Sequence, residues 1–410
     1  MRCRNSSSIF ERPMQILQLC KKFPYPAKDG ETIAIMSLTK SLKNAGAEIT
    51  VLSFNTQKHF AETNSLPDEV KSIGEFHSVN IDTKITPLGA FKNLFNSSSF
   101  HINRFESEVF SDRLKTILTL RDFDIIQLEG LTLAYYLPII RKYSKAKVVM
   151  RAHNVEHEIW LRLAHQSIGL KKWYLNLQAK RLRNFEIFHL NSYDALVPIT
   201  DRDGEIFQNL GCRIPMHVSS TGIDAEIISS NPRSNANSVF FIGGMDWIPN
   251  RLGVEWFIKK VWKTLQSKYP HLKLSLAGKN FPADLKTDPS QNIIVFGEVE
   301  NAHEFIREQS IMIVPLFSGS GMRIKIIEGM ALGKVVVSTS IGAEGIHATH
   351  EENILIADDT HSFIHAIEKC ITDWNSYIML SQNALKFVRE NFDNQKIGSE
   401  LLRFYRTLTN

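Results

Sequence analysis

Residues 315–345 read PLFSGSGMRIKIIEGMALGKVVVSTSIGAEG, and the layout of this stretch decides the fold. Just upstream, residues 311–315, IMIVP, form a short apolar run of the kind buried on both faces of a parallel sheet. The closing proline cannot donate to a strand ladder. Residues 318–321, SGSG, make a loop whose glycines permit positive φ and close approach of backbone to a ligand. A helix follows, with Ile324, Ile327 and Met330/Ala331 on one apolar stripe and Lys325 and Glu328 together on another face. Strand, loop and helix N-terminus together make an anion cradle, because free backbone N–H groups and the helix dipole favour phosphate. Arg323 and Lys325 add positive charge at the helix start. Glu328, about a turn further in, is placed to accept two hydroxyls of a ribose. The glycines alone are a weak sign, since Ile324 stands where a dinucleotide fingerprint has its third glycine. A plain turn followed by a surface Lys325–Glu328 pair is the competing reading.

The same grammar extends outward. Residues 16–19, 49–54, 124–128, 147–151 and 195–199 read as short buried strands, and residues 33–44 as a helix. The pattern restarts after residue 220, with strands at 239–242, 272–277, 293–296, 311–315 and 335–338 and a helix over 253–267. Such alternation predicts an α/β fold of two Rossmann-like, doubly wound domains facing across a cleft. Residues 213–223, RIPMHVSSTGI, have the composition of a linker. The expected organisation is a first domain over 14–218, a second over 219–382, and a helical segment over 383–410 that packs back on the first. Residues 1–13, MRCRNSSSIFERP, are polar, and the apolar run begins only at Met14. A disordered tail or a mis-annotated start is expected there. Residues 55–69 and 86–103 are expected to be mobile loops.

Composition narrows the function classes. The 410 residues carry 43% hydrophobic and 22% charged side chains, ordinary for a globular enzyme with more than one core. A net charge of +5 is mild and dispersed; it suits an anionic ligand or a membrane surface and argues against nucleic acid. The four cysteines are scattered, with no CxxC pair and no metal spacing, which reads as a reducing compartment without a zinc site. No window approaches the roughly 18–20 apolar residues of a membrane span.

The 315–345 segment resembles the C-terminal domain of retaining, family-four glycosyltransferases of the GT-B architecture (glycosyl transferases group 1). Their pattern of a strand end, a glycine-containing loop, Leu-Glu-Ala-Met-Ala and Gly-x-Pro-Val-Val is met here by IIEGMALGKVVVSTSIGAEG. The resemblance covers most of the chain from Met14. FPYPAKDG, residues 23–30, is similar to the family's first loop and implies that Gly30 approaches the donor phosphates. RAHNVEHEIW, residues 151–160, resembles the strand end that supplies a histidine beside the reacting sugar, here His153. FIGGMDWIPNRLGVEWF, residues 241–257, resembles the first strand and loop of the donor domain, with Gly243 and Gly244 at the donor. VFGEVENAHEF implies that Glu298 and Val299 lie near the base, and the resemblance makes Glu328 the ribose ligand, with Ser320, Gly321 and Met322 beside it.

Three departures matter. Relatives commonly pair the ribose glutamate with a second acid eight residues earlier, seven residues lying between; Ser320 stands at that position. They also carry an arginine and a lysine in the first donor-domain loop, where this chain has Gly244 and Asn250. A departing diphosphate needs positive stabilisation. Arg323 and Lys325, joined by Arg251, are expected to supply it.

The resemblance further implies transfer with retention. The acceptor hydroxyl attacks from the leaving-group face, and the departing phosphate oxygen takes its proton. His153, Arg323 and Lys325 are then the catalytic residues of a hexosyltransferase-type enzyme. The plainer reading of the first is that His153 ends a strand and Asn154 caps the next helix; His157 is read as a helix-face residue. No DxD stands in a suitable loop, so no metal or other cofactor is expected, only a nucleotide-sugar co-substrate. The expected acceptor is a carbohydrate or lipid-linked sugar in polysaccharide or glycolipid assembly. Between residues 159 and 185 stand six Lys/Arg (Arg162, Lys171, Lys172, Lys180, Arg181, Arg183) and no acid, among Trp160, Trp173 and Tyr174. An anionic membrane surface and a solvated helical face are the two readings of that stretch. The expected location is cytoplasmic, peripheral to the inner face of the membrane. Rivals are a sugar-nucleotide 2-epimerase of the same architecture, a nucleotide-dependent oxidoreductase, which lacks its GxGxxG, and a binding protein without catalysis.

Overall fold

The computed structural model describes residues 12–27, 29–57, 60–83, 93, 99–228, 237–319 and 321–410. Of the polar start, residues 1–11 lie outside the described residues; Arg12 pairs with Asp124 at 2.6 Å, and the first strand begins at Gln15. Most of the expected loop 86–103 and Ser320 also lie outside them.

The first domain is a parallel sheet of β1 (Gln15–Cys20), β2 (Glu48–Thr56), β3 (Glu75–Ile81), β4 (Ile125–Glu129), β5 (Lys147–Ala152) and β6 (Ala195–Pro198), ordered β3-β2-β1-β4-β5-β6. The second repeats this order with β7 (Ser238–Ile242), β8 (Lys273–Ala277), β9 (Ile293–Gly297), β10 (Ile311–Val314), β11 (Val335–Ser338) and β12 (Leu355–Ile356), running β12-β11-β10-β7-β8-β9. Each sheet therefore has the doubly wound order in which winding reverses beside the first strand, opening a crevice at the strand C-termini. Both faces of both sheets are covered. Phe54, Phe110 and Tyr136 pack on one face of the first sheet, and Ile35, Leu42 and Leu401 on the other. Phe241, Phe257 and Trp262 fill one face of the second, and Phe240, Met312 and Met330 the other.

The strand ends form the crevice for local reasons. The helix Gly30–Asn44 starts on a capping box between Asp29 and Thr32, which fixes where the chain leaves β1. The helix Ile324–Ala331 instead has Arg323 at its N-cap with no side-chain capping hydrogen bond, and its Ile326 N–H donates to the Arg323 carbonyl at 2.9 Å. The N–H groups ahead of Ile326 have no partner within the helix itself.

Some expectations are corrected. β3 was not anticipated: His77, Ser78 and Asn80 interrupt the apolar run because this is a partly exposed edge strand. β12, two residues long, is likewise additional. The polar 55–69 stretch contains the end of β2, a short turn at Thr63–Ser65 and the start of the helix Asp68–Ile73. The helix expected over 253–267 begins at Ile248 and passes through a π-helical turn at Ile258–Trp262. The 383–410 segment is not one helix. Its first part ends the helix Trp374–Asn391, whose Leu380, Ala384 and Val388 pack on the second domain. The return crossing is the helix Asn394–Thr409, whose Tyr405 hydroxyl donates to Gln127 in β4. The two chain crossings between domains are joined: Ile223 donates to the Phe392 carbonyl at 2.8 Å and accepts from Asn394 at 3.2 Å.

Candidate active site

The loop after β10 carries the chain from Pro315 into the helix Ile324–Ala331. Gly321 has φ +80, and a Cβ there would lie 2.8 Å from Asn154 Oδ1 of the opposite domain, so only glycine fits. Met322 is partly buried against the second core. The buried Arg323 donates to the Gly321 carbonyl and holds its guanidinium 5.3 Å from the centre of the Trp247 ring. Burial, with Arg162 adding to it and Glu344 opposing, lowers its pKa to about 10.

Lys325 reaches across to the loop after β7. Its Nζ donates to Asn250 Oδ1 at 3.0 Å and to the Ile242 carbonyl at 3.2 Å, and sits 4.1 Å from the Phe241 ring centre. Asn250 Nδ2 in turn donates to the Gly244 carbonyl at 2.8 Å. A Cβ on Gly243 would stand 2.8 Å from Asn250 Nδ2 and 3.0 Å from Lys325 Nζ. The lysine thus rests on the neutral Asn250, the position singled out above in the first loop of the second domain. Burial first, then the charge of Arg323, brings the Lys325 pKa down to about 7, with Glu328 pulling the other way. Arg251 is elsewhere: it pairs with Glu255 at 2.8 Å on an exposed helix face.

Glu328, partly buried, faces His303 Nε2 at 3.4 Å. His303 belongs to the short helix Ala302–Arg307, started by Asn301, whose side chain accepts from the His303 and Glu304 N–H groups. Glu298 is exposed and pairs with Lys279 at 3.4 Å, while Val299 packs at the edge of the core. His303 and Trp247, which stand against Glu328 and Arg323, were not singled out by the motif reading, and Asn250 was noted there only as a neutral departure.

On the facing domain, His153 Nε2 lies 2.6 Å from Glu129 Oε2, a fully buried carboxylate at the end of β4. Arg151, also fully buried, is 3.3 Å from the same oxygen, and Gln127 donates to the other one. Burial alone would raise the Glu129 carboxyl, but Arg151 and then His153 hold it below its usual range. At the end of β1, Lys21 pairs with Glu31 at 3.3 Å, and Lys22 with Asp29 at 2.8 Å and Glu31 at 3.2 Å. Against burial, Lys21 and Lys22 bring Glu31 down to about 2, with His153 adding to the effect. A Cβ on Gly30 would come 4.0 Å from Ile324 Cδ1, so the first loop meets the start of the opposite helix.

Two readings near His153 are corrected. Asn154 does not cap the helix Glu156–His165: its N-cap is Val155, and Glu186 from the next helix accepts the Glu156 N–H at 3.2 Å. His157 is buried and lies 2.5 Å from Glu186, so it ties two helices together instead of sitting on an outer face. The basic stretch also divides. Arg162 turns into the cleft, and Arg181 donates to the Asn93 carbonyl at 2.8 Å. Lys171, Lys172, Lys180 and Arg183 remain exposed. They accompany Ile168, Leu170 and Trp173, which are 89%, 86% and 57% exposed. Among the described residues no helix is long and apolar enough to cross a membrane.

Two strand-end surfaces face each other, one with a cationic small-residue loop and an acid a turn behind it, the other with a histidine on a buried carboxylate. Residues 236–373 match the family described as glycosyl transferases group 1. That span holds the loop, Arg323, Lys325, Glu328, His303 and the β7 turn. A protein of Klebsiella pneumoniae described as an uncharacterized 44.6 kDa protein in cps region is 24% identical over 406 residues, covering 95% of this chain and 99% of its own. Among solved structures, Anabaena HepE in complex with UDP is similar over 96% of this chain and 100% of its own, at 13% identity and a TM-score of 0.66. Sucrose-phosphate synthase from Thermosynechococcus elongatus matches at 15% identity and a TM-score of 0.68, over 96% and 99% of the two chains. The architecture is GT-B: two Rossmann-like domains across a cleft.

Proposed function

We propose that the protein transfers a sugar from a nucleotide-sugar donor to a hydroxyl of a carbohydrate or lipid-linked acceptor, with retention of configuration, in polysaccharide or glycolipid assembly. The observation that carries this reading is the convergence of Arg323 and Lys325 on one loop cradle, directly opposite His153. In this reading the leading N–H groups of the helix Ile324–Ala331 and the Arg323 guanidinium receive the donor diphosphate. Lys325 neutralises the charge that grows on the leaving oxygen. Glu328 takes the ribose hydroxyls, with His303 beside it. The departing phosphate oxygen accepts the acceptor proton, so no carboxylate pair spanning the bond is required. His153, oriented by Glu129, touches the donor sugar or the acceptor, and the protein otherwise positions reactants. The chemistry as drawn uses no metal.

Support comes from the group 1 match over the loop and from structures of the same architecture described with UDP, UDP-glucose and UDP-2-fluoro glucose. A UDP-sugar is therefore the first donor to test. The relative in a cps region supports the polysaccharide role. For location, we place the enzyme in the cytoplasm, with the exposed Ile168–Leu170–Trp173 tip and its lysines resting on an anionic membrane face.

The test is incubation with a panel of nucleotide sugars and candidate acceptors, read by mass spectrometry, with Arg323→Ala alongside. Transfer by wild type and a drop of about 10²-fold in the variant support the reading. Conversion of the donor to an epimer assigns an isomerase instead. Arg323→Ala turnover within a few-fold of wild type removes Arg323 from the mechanism.

A further inference from the structure

Arg162 stands in the helix Glu156–His165, shortly after His153 and Asn154. Its Nη1 donates to the carbonyl of Gly319, in the small-residue loop of the opposite domain. The same guanidinium lies 3.3 Å from Glu158 and 3.8 Å from Glu344. Arg202, in the helix Asp201–Asn209, pairs with Glu158 at 2.6 Å, Asp203 at 3.0 Å and Glu344 at 3.1 Å. Glu344 follows β11 and Gly319 follows β10, so these two members of the group belong to the second domain and the others to the first. One carboxylate of the donor side is therefore gripped by two arginines of the acceptor side, and one of those arginines also holds the loop backbone. All four side chains that cross or brace the cleft are half-buried, so salt screens them less than a surface pair. The loop needs such a brace: Gly319 and Gly321 both have positive φ and no side chain of their own to lock the backbone.

We propose that Arg162 and Arg202 are positioning residues that, through Glu344 and the Gly319 carbonyl, make the working shape of the donor loop depend on closure of the cleft. The proposal rests on the transferase reading for its kinetic consequences, though its geometric consequence is independent of it. With the cleft closed, Arg162 fixes the carbonyl of Gly319, and the N–H groups and Arg323 beyond it are aimed at one point. With the cleft open, Glu344 loses both arginines and the loop loses its outside hold. Loops that close over a substrate commonly complete the reacting constellation in this way. Here the completing group belongs to the acceptor domain and acts on the loop instead of on the donor.

The test compares full-length wild type with Arg162→Ala, Arg162→Lys, Arg202→Ala, Glu344→Gln and the Arg202→Ala/Glu344→Gln double variant. Melting curves first establish that each is folded. Small-angle scattering without ligand should give a larger radius of gyration for Arg202→Ala and Glu344→Gln, with the double variant no larger than either. Arg162→Ala should lower kcat by about tenfold while the donor KM changes less, and Arg162→Lys should recover part of the loss. An unchanged radius of gyration in Arg202→Ala and Glu344→Gln, or Arg162→Ala turnover within about twofold of wild type, overturns the proposal. Should wild type transfer no sugar from any donor, the transferase reading fails, while the scattering comparison still decides whether the clamp exists.

Discussion

Donor affinity should fall as pH rises through about 7, the pKa to which burial and Arg323 bring Lys325 in the unliganded protein. Below that pH the ammonium is charged before and after the diphosphate arrives, and affinity is at its plateau. Above it the free protein carries a neutral Lys325. Binding a diphosphate restores a pKa near the ordinary lysine value of about 10.4, so the donor must bring a proton in with it. With those two pKa values, the dissociation constant at pH 8.5 is roughly 30-fold that at pH 6. About one proton is taken up per donor bound at pH 8.5, against about 0.1 at pH 6. Both phosphates of a nucleotide sugar are esterified, so the ligand does not titrate in this range. Isothermal titration in two buffers of different ionisation enthalpy measures affinity and proton uptake together. Lys325→Arg, which stays charged, should flatten the profile. A wild-type affinity that is level from pH 6 to 8.5, or a slope that Lys325→Arg leaves intact, refutes the placing of Lys325 at the diphosphate.

Other consequences are more local. His153→Ala should cut transfer by about 10²-fold or more with little change in melting temperature, because the Glu129–Arg151 pair survives. Glu129→Gln should instead lower stability by about 3–5 kcal/mol in chemical denaturation, since it strands the fully buried Arg151 without its counter-charge. Transfer should persist in excess EDTA; loss restored by a divalent ion counts against the metal-free chemistry proposed above. In liposome flotation the protein should rise with anionic vesicles and not neutral ones, and replacing Ile168, Leu170 and Trp173 together by serine should abolish this.

The two sheets and the loop cradle were legible because they rest on local signals. Buried parallel strands are continuous apolar runs, and a strand, glycine loop and helix start stand within 18 residues at Ile311–Glu328. The nearness of Arg323 and Lys325 to that loop was legible for the same reason, since both follow it within a few residues. That Lys325 rests on Asn250, 75 positions away, required the fold. Partnerships across strand ends were hidden in the same way. Glu129 is the last residue of β4 and becomes the partner of His153 only because β4 and β5 are adjacent. Lys21 and Lys22 follow β1, and both pair with Glu31, in the first turn of the helix that comes after the loop. A rule that flags charged residues at or just past the C-terminal ends of the inner strands would have picked out Glu129, Lys21 and Lys22. Nothing in the sequence marks Glu186 as the group that receives the Glu156 N–H, because it lies on a separate helix.

The measurement closest to the central claim is a thermal melt of wild type and Glu328→Ala with UDP, GDP, ADP and CMP. A nucleotide at about 100 times its dissociation constant adds about 2.7 kcal/mol to native-state stability, a shift of several degrees. At least one nucleotide should raise the wild-type melting temperature by that much. Glu328→Ala should lose most of the shift, and should no longer distinguish ribose from 2′-deoxyribose forms of that nucleotide. Absence of a shift with all four, or a full shift in Glu328→Ala, would contradict a nucleotide site built on this loop and helix.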